Sequence, residues 1–86
     1  MPEISRFFGI RIAMFFNEHN PPHFHAMYEG RKAAFNIRTL AMSEGSLPPR
    51  VCGFIVEWAT LHQQELLDDW NHLRAGQAPA KIAPLE

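Results

Sequence analysis

The stretch HFHAMYEGRKAAFNIR, residues 23–38, predicts a hairpin of two antiparallel strands. Apolar and polar side chains alternate on either side of Gly30-Arg31, which is the period of strands that bury one face. Glycine in the first position of a two-residue loop is typical of a type II′ turn, and this turn pairs Glu29 with Lys32. The register that follows makes one face apolar, with the pairs Tyr28–Ala33, Ala26–Phe35 and Phe24–Ile37.

The other face of this hairpin is polar and carries two histidines. The predicted register gives two polar pairs, His25–Asn36 and His23–Arg38. A slip of one residue would set apolar side chains against polar ones along both strands, so the turn and the pattern agree on this register. We therefore expect a histidine-rich polar sheet face, with the aromatic side chains of the hairpin pointing into the core.

The remaining pattern adds strands before the hairpin and helices after it. Residues 4–8 and 10–16 have strand periodicity, and residues 40–43 suit a short edge strand. From Pro48 onward, apolar residues recur at spacings of three and four, which indicates an amphipathic helix. Thr60-Leu61-His62-Gln63 has the form of a capping box, which favours two helices that meet near His62 over one continuous helix.

These elements together predict an α+β fold. We expect an antiparallel sheet of four to five strands within residues 3–44. A C-terminal helical pair, over about residues 48–75, is expected to pack on the apolar face of the hairpin. Residues 1–86 are expected to form a single domain, in which residues 77–86, with two prolines, form an extended C-terminal tail.

Several residues of the predicted helices have a structural interpretation. Trp58 and Trp70 lie at helical spacing and are expected in the core. His62 follows the apolar stripe and is expected to be buried and hydrogen-bonded, and Cys52 is expected to be a buried small apolar residue. Asp68-Asp69 is expected to lie on a solvated helix face.

Composition excludes several classes of protein. The chain has 86 residues, of which 47% are apolar, and a formal net charge of −1, so it has a globular core and no global positive field. One cysteine excludes an intrachain disulfide framework and a multi-cysteine zinc site. The absence of a long apolar run and of a signal-peptide pattern predicts a cytoplasmic protein that does not bind membranes. Residues 1–50 carry six basic and four acidic side chains, a bias that favours an anionic partner.

The cluster HNPPHFH, residues 19–25, is the strongest chemical signal. Histidines two positions apart on a strand point the same way, about 6.5–7 Å apart. His23 and His25 could therefore bind one divalent transition metal ion. His19 would join them as a third ligand, from the rigid Pro-Pro loop. Glu29 or His62 would complete the set of ligands. If these histidines bind no metal ion, we expect the protein to carry no cofactor.

The same histidines also fit chemistry without a metal. Histidine titrates near neutral pH, so His23 or His25 could act as the general acid or base of a ribonuclease-like toxin. A nearby arginine could hold a phosphate group, and Phe15 could stack on an exposed base of RNA or DNA. The candidate ligand-binding or nucleic-acid-binding residues are His19, His23, His25, Asn36 and Arg38.

A third interpretation gives the histidines a structural role. With helices on one face, a small antiparallel sheet leaves its other face open. A second copy of the chain could cover that face, so the histidines would line the interface of a homodimer. Alternatively, their rings would hydrogen-bond to the Pro-Pro loop and hold it in place.

The chain also resembles a known family. The residues that carry the resemblance are PEISRFFGI at residues 2–10, HNPPHFH at residues 19–25, and Glu57-Trp58 with His62 and Trp70. They are similar to the bacterial family called domain of unknown function 4160. The resemblance implies a small cytoplasmic protein encoded beside a second small protein, in an arrangement similar to toxin–antitoxin cassettes. The preferred expectation is therefore a binding or regulatory module whose partner is the protein of the adjacent gene.

Overall fold

The computed structural model describes residues 2–86 and contains a five-stranded antiparallel sheet followed by two helices. Each strand pairs with the next along the chain, so the sheet is a meander that needs only short connections. The elements are β1 Glu3–Phe7, β2 Ile10–Ala13, β3 His23–Tyr28, β4 Arg31–Asn36, β5 Met42–Gly45, α1 Pro49–Leu61 and α2 Gln63–Arg74. The predicted α+β fold, with a sheet followed by a helical pair, is confirmed.

The helices cover the face of the sheet that the alternation predicts. Phe24 and Phe35 are buried and stack on each other, with ring centroids 5.4 Å apart. Trp58 of α1 is fully buried and packs edge-on against Phe24 at 5.9 Å. Trp70 of α2 is also in the core, so both tryptophans lie where the sequence places them.

The register of the β3–β4 hairpin differs from the predicted one. The turn is Glu29-Gly30, with φ of 48° and 78°, and positive φ at both positions is the requirement of a type I′ turn. Moving the turn back by one residue shifts the pairing by two, so every side chain keeps its predicted face but changes its partner. The observed pairs are Tyr28–Arg31, Met27–Lys32, Ala26–Ala33, His25–Ala34, Phe24–Phe35 and His23–Asn36. The predicted type II′ turn at Gly30-Arg31 is therefore wrong, and so are the strand pairs predicted from it, His23–Arg38 and His25–Asn36 among them.

The two helices meet at His62, as predicted, but not through a capping box. The Thr60 hydroxyl donates to the Val56 carbonyl within α1, at 2.7 Å, and caps nothing in α2. His62 has φ of −123°, outside the helical range, which ends α1 and starts α2. Its imidazole is half-buried and lies 2.6 Å from the Glu65 carboxylate.

Residues 77–86 run back across the core. The Ile82 N–H donates to the Ile4 carbonyl of β1 at 2.8 Å, and the Trp58 indole N–H donates to the Ala83 carbonyl at 2.8 Å. Ile82 and Leu85 are buried in the same cluster as the sheet and helices. Hydrogen bonds and apolar burial thus fix this segment against β1 and α1.

Asp69 is not on a solvated face, which corrects the expectation for Asp68-Asp69. It is 2% exposed because the C-terminal segment covers it, and one carboxylate oxygen accepts the Ala80 N–H at 2.8 Å. The other oxygen has no hydrogen-bond partner within the described chain. Burial raises the pKa of Asp69, and the bond from Ala80 opposes that rise.

Neither α1 nor α2, in the described residues 2–86, has the length and apolar character that crossing a bilayer requires.

Candidate metal centre

Three side chains converge beside the start of β3. The Nε2 atom of His25 lies 2.8 Å from one Glu18 carboxylate oxygen, and the Nε2 atom of His23 lies 3.5 Å from the other. One donor atom from each of the three residues lies within 4.8 Å of the other two. We call Glu18, His23 and His25 the Glu–His–His triad.

The backbone explains why these groups meet. His23 and His25 are alternate residues of β3, so both lie on the same face of the strand, opposite the buried Phe24. Glu18 comes from the loop that joins β2 to β3. That loop is held to the hairpin by the Ile37 N–H, which donates to the Pro22 carbonyl at 3.0 Å.

Aromatic contacts hold both imidazoles in place. The ring of His23 lies 5.2 Å from the ring of His25 and 5.2 Å from that of Trp70. The His25 ring packs edge-on against Phe15 at 4.6 Å. Only 16% of the His23 side chain and 18% of the His25 side chain is exposed, so little rotational freedom is left to lose when a ligand binds.

The tautomer of His23 follows from its hydrogen bond. Its Nδ1 atom lies 2.8 Å from the Pro21 carbonyl oxygen, which can only accept, so Nδ1 carries a proton and donates it. In the neutral ring, Nε2 then directs a lone pair toward the Glu18 carboxylate. Two lone pairs that face each other repel unless a proton or a metal ion lies between them. A backbone carbonyl on the far ring nitrogen is also the usual partner of a metal-binding histidine.

An open cleft of about 350 Å³ adjoins the triad. Most of its lining residues are polar, and ligands can enter from solvent. Besides the triad, the lining residues are His19, Asn20, Pro21, Ala34, Asn36, Ser43 and Glu44.

The structure brings together some of the predicted site residues and separates others. His19 is exposed and lines the cleft, but it is not part of the triad. Asn36 also lines the cleft, and its side-chain oxygen accepts the N–H groups of Arg38 and Thr39, which fixes the turn after β4. The Arg38 side chain lines a different depression, with Asn20 and Trp70.

The third member of the triad is Glu18, which the sequence reasoning missed. Glu29 and His62, the residues expected to complete the set, lie elsewhere: Glu29 is in the β3–β4 turn, and His62 bonds to Glu65 between the helices. Glu18 directly precedes the cluster at residues 19–25. A carboxylate in the same short loop as the histidines was therefore the available signal.

Comparison with curated proteins finds no match, and comparison with solved structures finds none either. A family model described as "Domain of unknown function (DUF4160)" matches residues 9–71, which are 63 of the 86 residues. The match includes all of the Glu–His–His triad and the Trp70 ring that supports it. The chain belongs to the DUF4160 family, as the resemblance in its sequence implies.

Proposed function

We propose that this protein binds one divalent transition metal ion through the Glu–His–His triad. The observation that carries the proposal is the convergence of two histidine Nε2 atoms on one carboxylate, with donor atoms of all three residues within 4.8 Å. Neutral imidazole and carboxylate are common ligands of zinc, and two histidines with one carboxylate also form the facial triad of non-haem iron proteins.

The spacing of the donor atoms fits a metal ion. Ligand atoms about 2.1 Å from a tetrahedral zinc ion lie about 3.4 Å from one another. The two contacts to Glu18 measure 2.8 Å and 3.5 Å, so shifts of about half an ångström would accommodate an ion. The His25 proton that now faces Glu18 would move to Nδ1 or leave, as metal binding requires.

Three protein ligands leave at least one coordination position free. A structural zinc site has four protein ligands, whereas a catalytic site keeps a position for water or substrate. The cleft beside the triad gives solvent access to that position. The geometry therefore favours a site that acts on a ligand over a site that only stabilises the fold.

Calorimetric titration of metal-free protein with Zn²⁺ and Mn²⁺ tests the proposal. We expect saturable binding of one ion per chain, weakened about 100-fold or more in His25→Ala and Glu18→Gln. His72→Ala is the matched control, because His72 is exposed on α2 and lies outside the triad. No saturable binding to the wild type, or equal loss in the control, would refute the proposal.

A further inference from the structure

We infer that Glu44 is the general base for a metal-bound water molecule, and that the cleft hydrolyses a phosphodiester. The inference rests on the proposed function, because the attacking water would be held by the metal at the Glu–His–His triad. It adds a fourth functional side chain, from the edge strand β5, and a class of substrate.

The strand register places Glu44 in line with the triad. His25 pairs with Ala34, and Ala34 pairs with Glu44, so the three residues form one row across β3, β4 and β5. Directly paired residues share a sheet face, and adjacent strands lie about 4.8 Å apart. The Cα atoms of His25 and Glu44 are therefore about 10 Å apart, with Ala34 between them in the row.

The position of Glu44 suits a general base better than a ligand of the metal ion. It lines the same cleft as the triad. Its carboxylate is not among the donor atoms that converge within 4.8 Å in the described chain, so we assign Glu44 to the water molecule and not to the metal ion. Across residues 2–86, no arginine, lysine or histidine pairs with this carboxylate, and it is free to accept a proton.

Two arginines in the depression next to the cleft favour a phosphodiester as substrate. Asn20 lines both the cleft and the adjoining depression that contains Arg38 and Arg74. Neither arginine pairs with a carboxylate in the part of the chain that the structure describes. A phosphodiester carries a negative charge that such side chains bind, whereas a neutral ester or amide has no use for them.

The proposed reaction balances without a redox step. Glu44 takes a proton from the bound water, and the hydroxide oxygen attacks phosphorus. The phosphorus–oxygen bond to the leaving group breaks, and the Glu44 carboxyl returns the proton to the departing oxygen. The products are a phosphomonoester and an alcohol, and Glu44 is a carboxylate again.

The test is hydrolysis of bis(4-nitrophenyl) phosphate by protein loaded with Zn²⁺ or Mn²⁺. We expect Glu44→Gln to lower kcat about 100-fold, with KM and metal affinity unchanged, and to remove the acid limb of the pH–rate profile. Glu57→Gln is the matched control, an exposed glutamate on α1. A His23→Ala, His25→Ala double variant should lose both metal and activity, which excludes a contaminating enzyme.

Single-stranded oligonucleotides identify the nucleophile. Cleavage of a deoxyribonucleotide strand supports attack by bound water. Cleavage of the matching ribonucleotide strand alone would mean that the 2′-hydroxyl attacks, and would overturn the inference. The inference would also be overturned if metal-loaded protein cleaved no phosphodiester, or cleaved only 4-nitrophenyl acetate. Neither of these results would contradict the proposed metal binding. Loss of the metal in Glu44→Gln would make Glu44 a ligand and refute its role as base.

Discussion

Ile82→Ala is expected to lower the free energy of unfolding by about 3 kcal/mol. The side chain is 4% exposed and belongs to the cluster that contains Ile4 and Trp58. The substitution removes three carbon groups from this cluster, which costs about 2.4 kcal/mol at about 0.8 kcal/mol each. The cavity left behind raises the cost to about 3 kcal/mol, within the range for such core truncations.

Urea and thermal unfolding followed by tryptophan fluorescence measure this loss. In a domain of this size, a loss of about 3 kcal/mol lowers Tm by about 12–24 °C. Lys81→Ala is the matched control, because Lys81 is the exposed neighbour of Ile82. We expect the control to change the free energy of unfolding by less than about 0.5 kcal/mol.

If Ile82→Ala changed the free energy of unfolding as little as Lys81→Ala, the reasoning would be refuted. It would mean that residues 77–86 do not pack on the sheet and helices. The hydrogen bond from Trp58 to the Ala83 carbonyl and that from the Ala80 N–H to Asp69 would then be absent as well, since both depend on the same docked segment.

Two further predictions concern the charge of Asp69 and the turn at Glu29. Burial raises the pKa of Asp69, so the folded state keeps the Asp69 proton to higher pH than the unfolded state does. The free energy of unfolding therefore falls as pH rises from about 4 through the pKa of Asp69 in the folded state. In urea unfolding, the free energy of unfolding of Asp69→Asn should therefore rise relative to that of the wild type between pH 3.5 and pH 7. A difference between the two proteins that does not vary with pH would contradict this. Glu29 has φ of +48°, so Glu29→Asn should raise the free energy of unfolding by about 1 kcal/mol, because asparagine tolerates the left-handed region. Glu29→Gln keeps the cost of a positive φ at this position, so it should not raise the free energy of unfolding.

The alternation of side chains determined which part of the fold could be predicted. It assigned Phe24 to the core face and His23 and His25 to the other face, since these assignments depend only on the period of a strand. It could not fix the partners across the hairpin, because a shift of two residues leaves the pattern unchanged. The choice between the turns Glu29-Gly30 and Gly30-Arg31 decides that shift, and both contain glycine.

The site was harder to predict than the sheet. Glu18 lies in an irregular loop, whose path depends on distant contacts such as the Ile37–Pro22 hydrogen bond and not on a periodic pattern. The burial of Asp69 depends in the same way on the C-terminal segment, which has no periodicity of its own. A homodimer, a toxin–antitoxin-like cassette and a partner protein from the adjacent gene stay predictions from the sequence.

The Glu–His–His triad comes from eight consecutive residues, Glu18 to His25. The entropy lost in gathering ligands grows with their separation along the chain, and here it is close to its minimum. Transplanted between two antiparallel strands of another scaffold, the segment should recreate the same arrangement of donor atoms, provided that the host supplies two contacts. One is a donor for the Pro22 carbonyl, as the Ile37 N–H is here, and the other is an aromatic ring against the first histidine, as Trp70 is here.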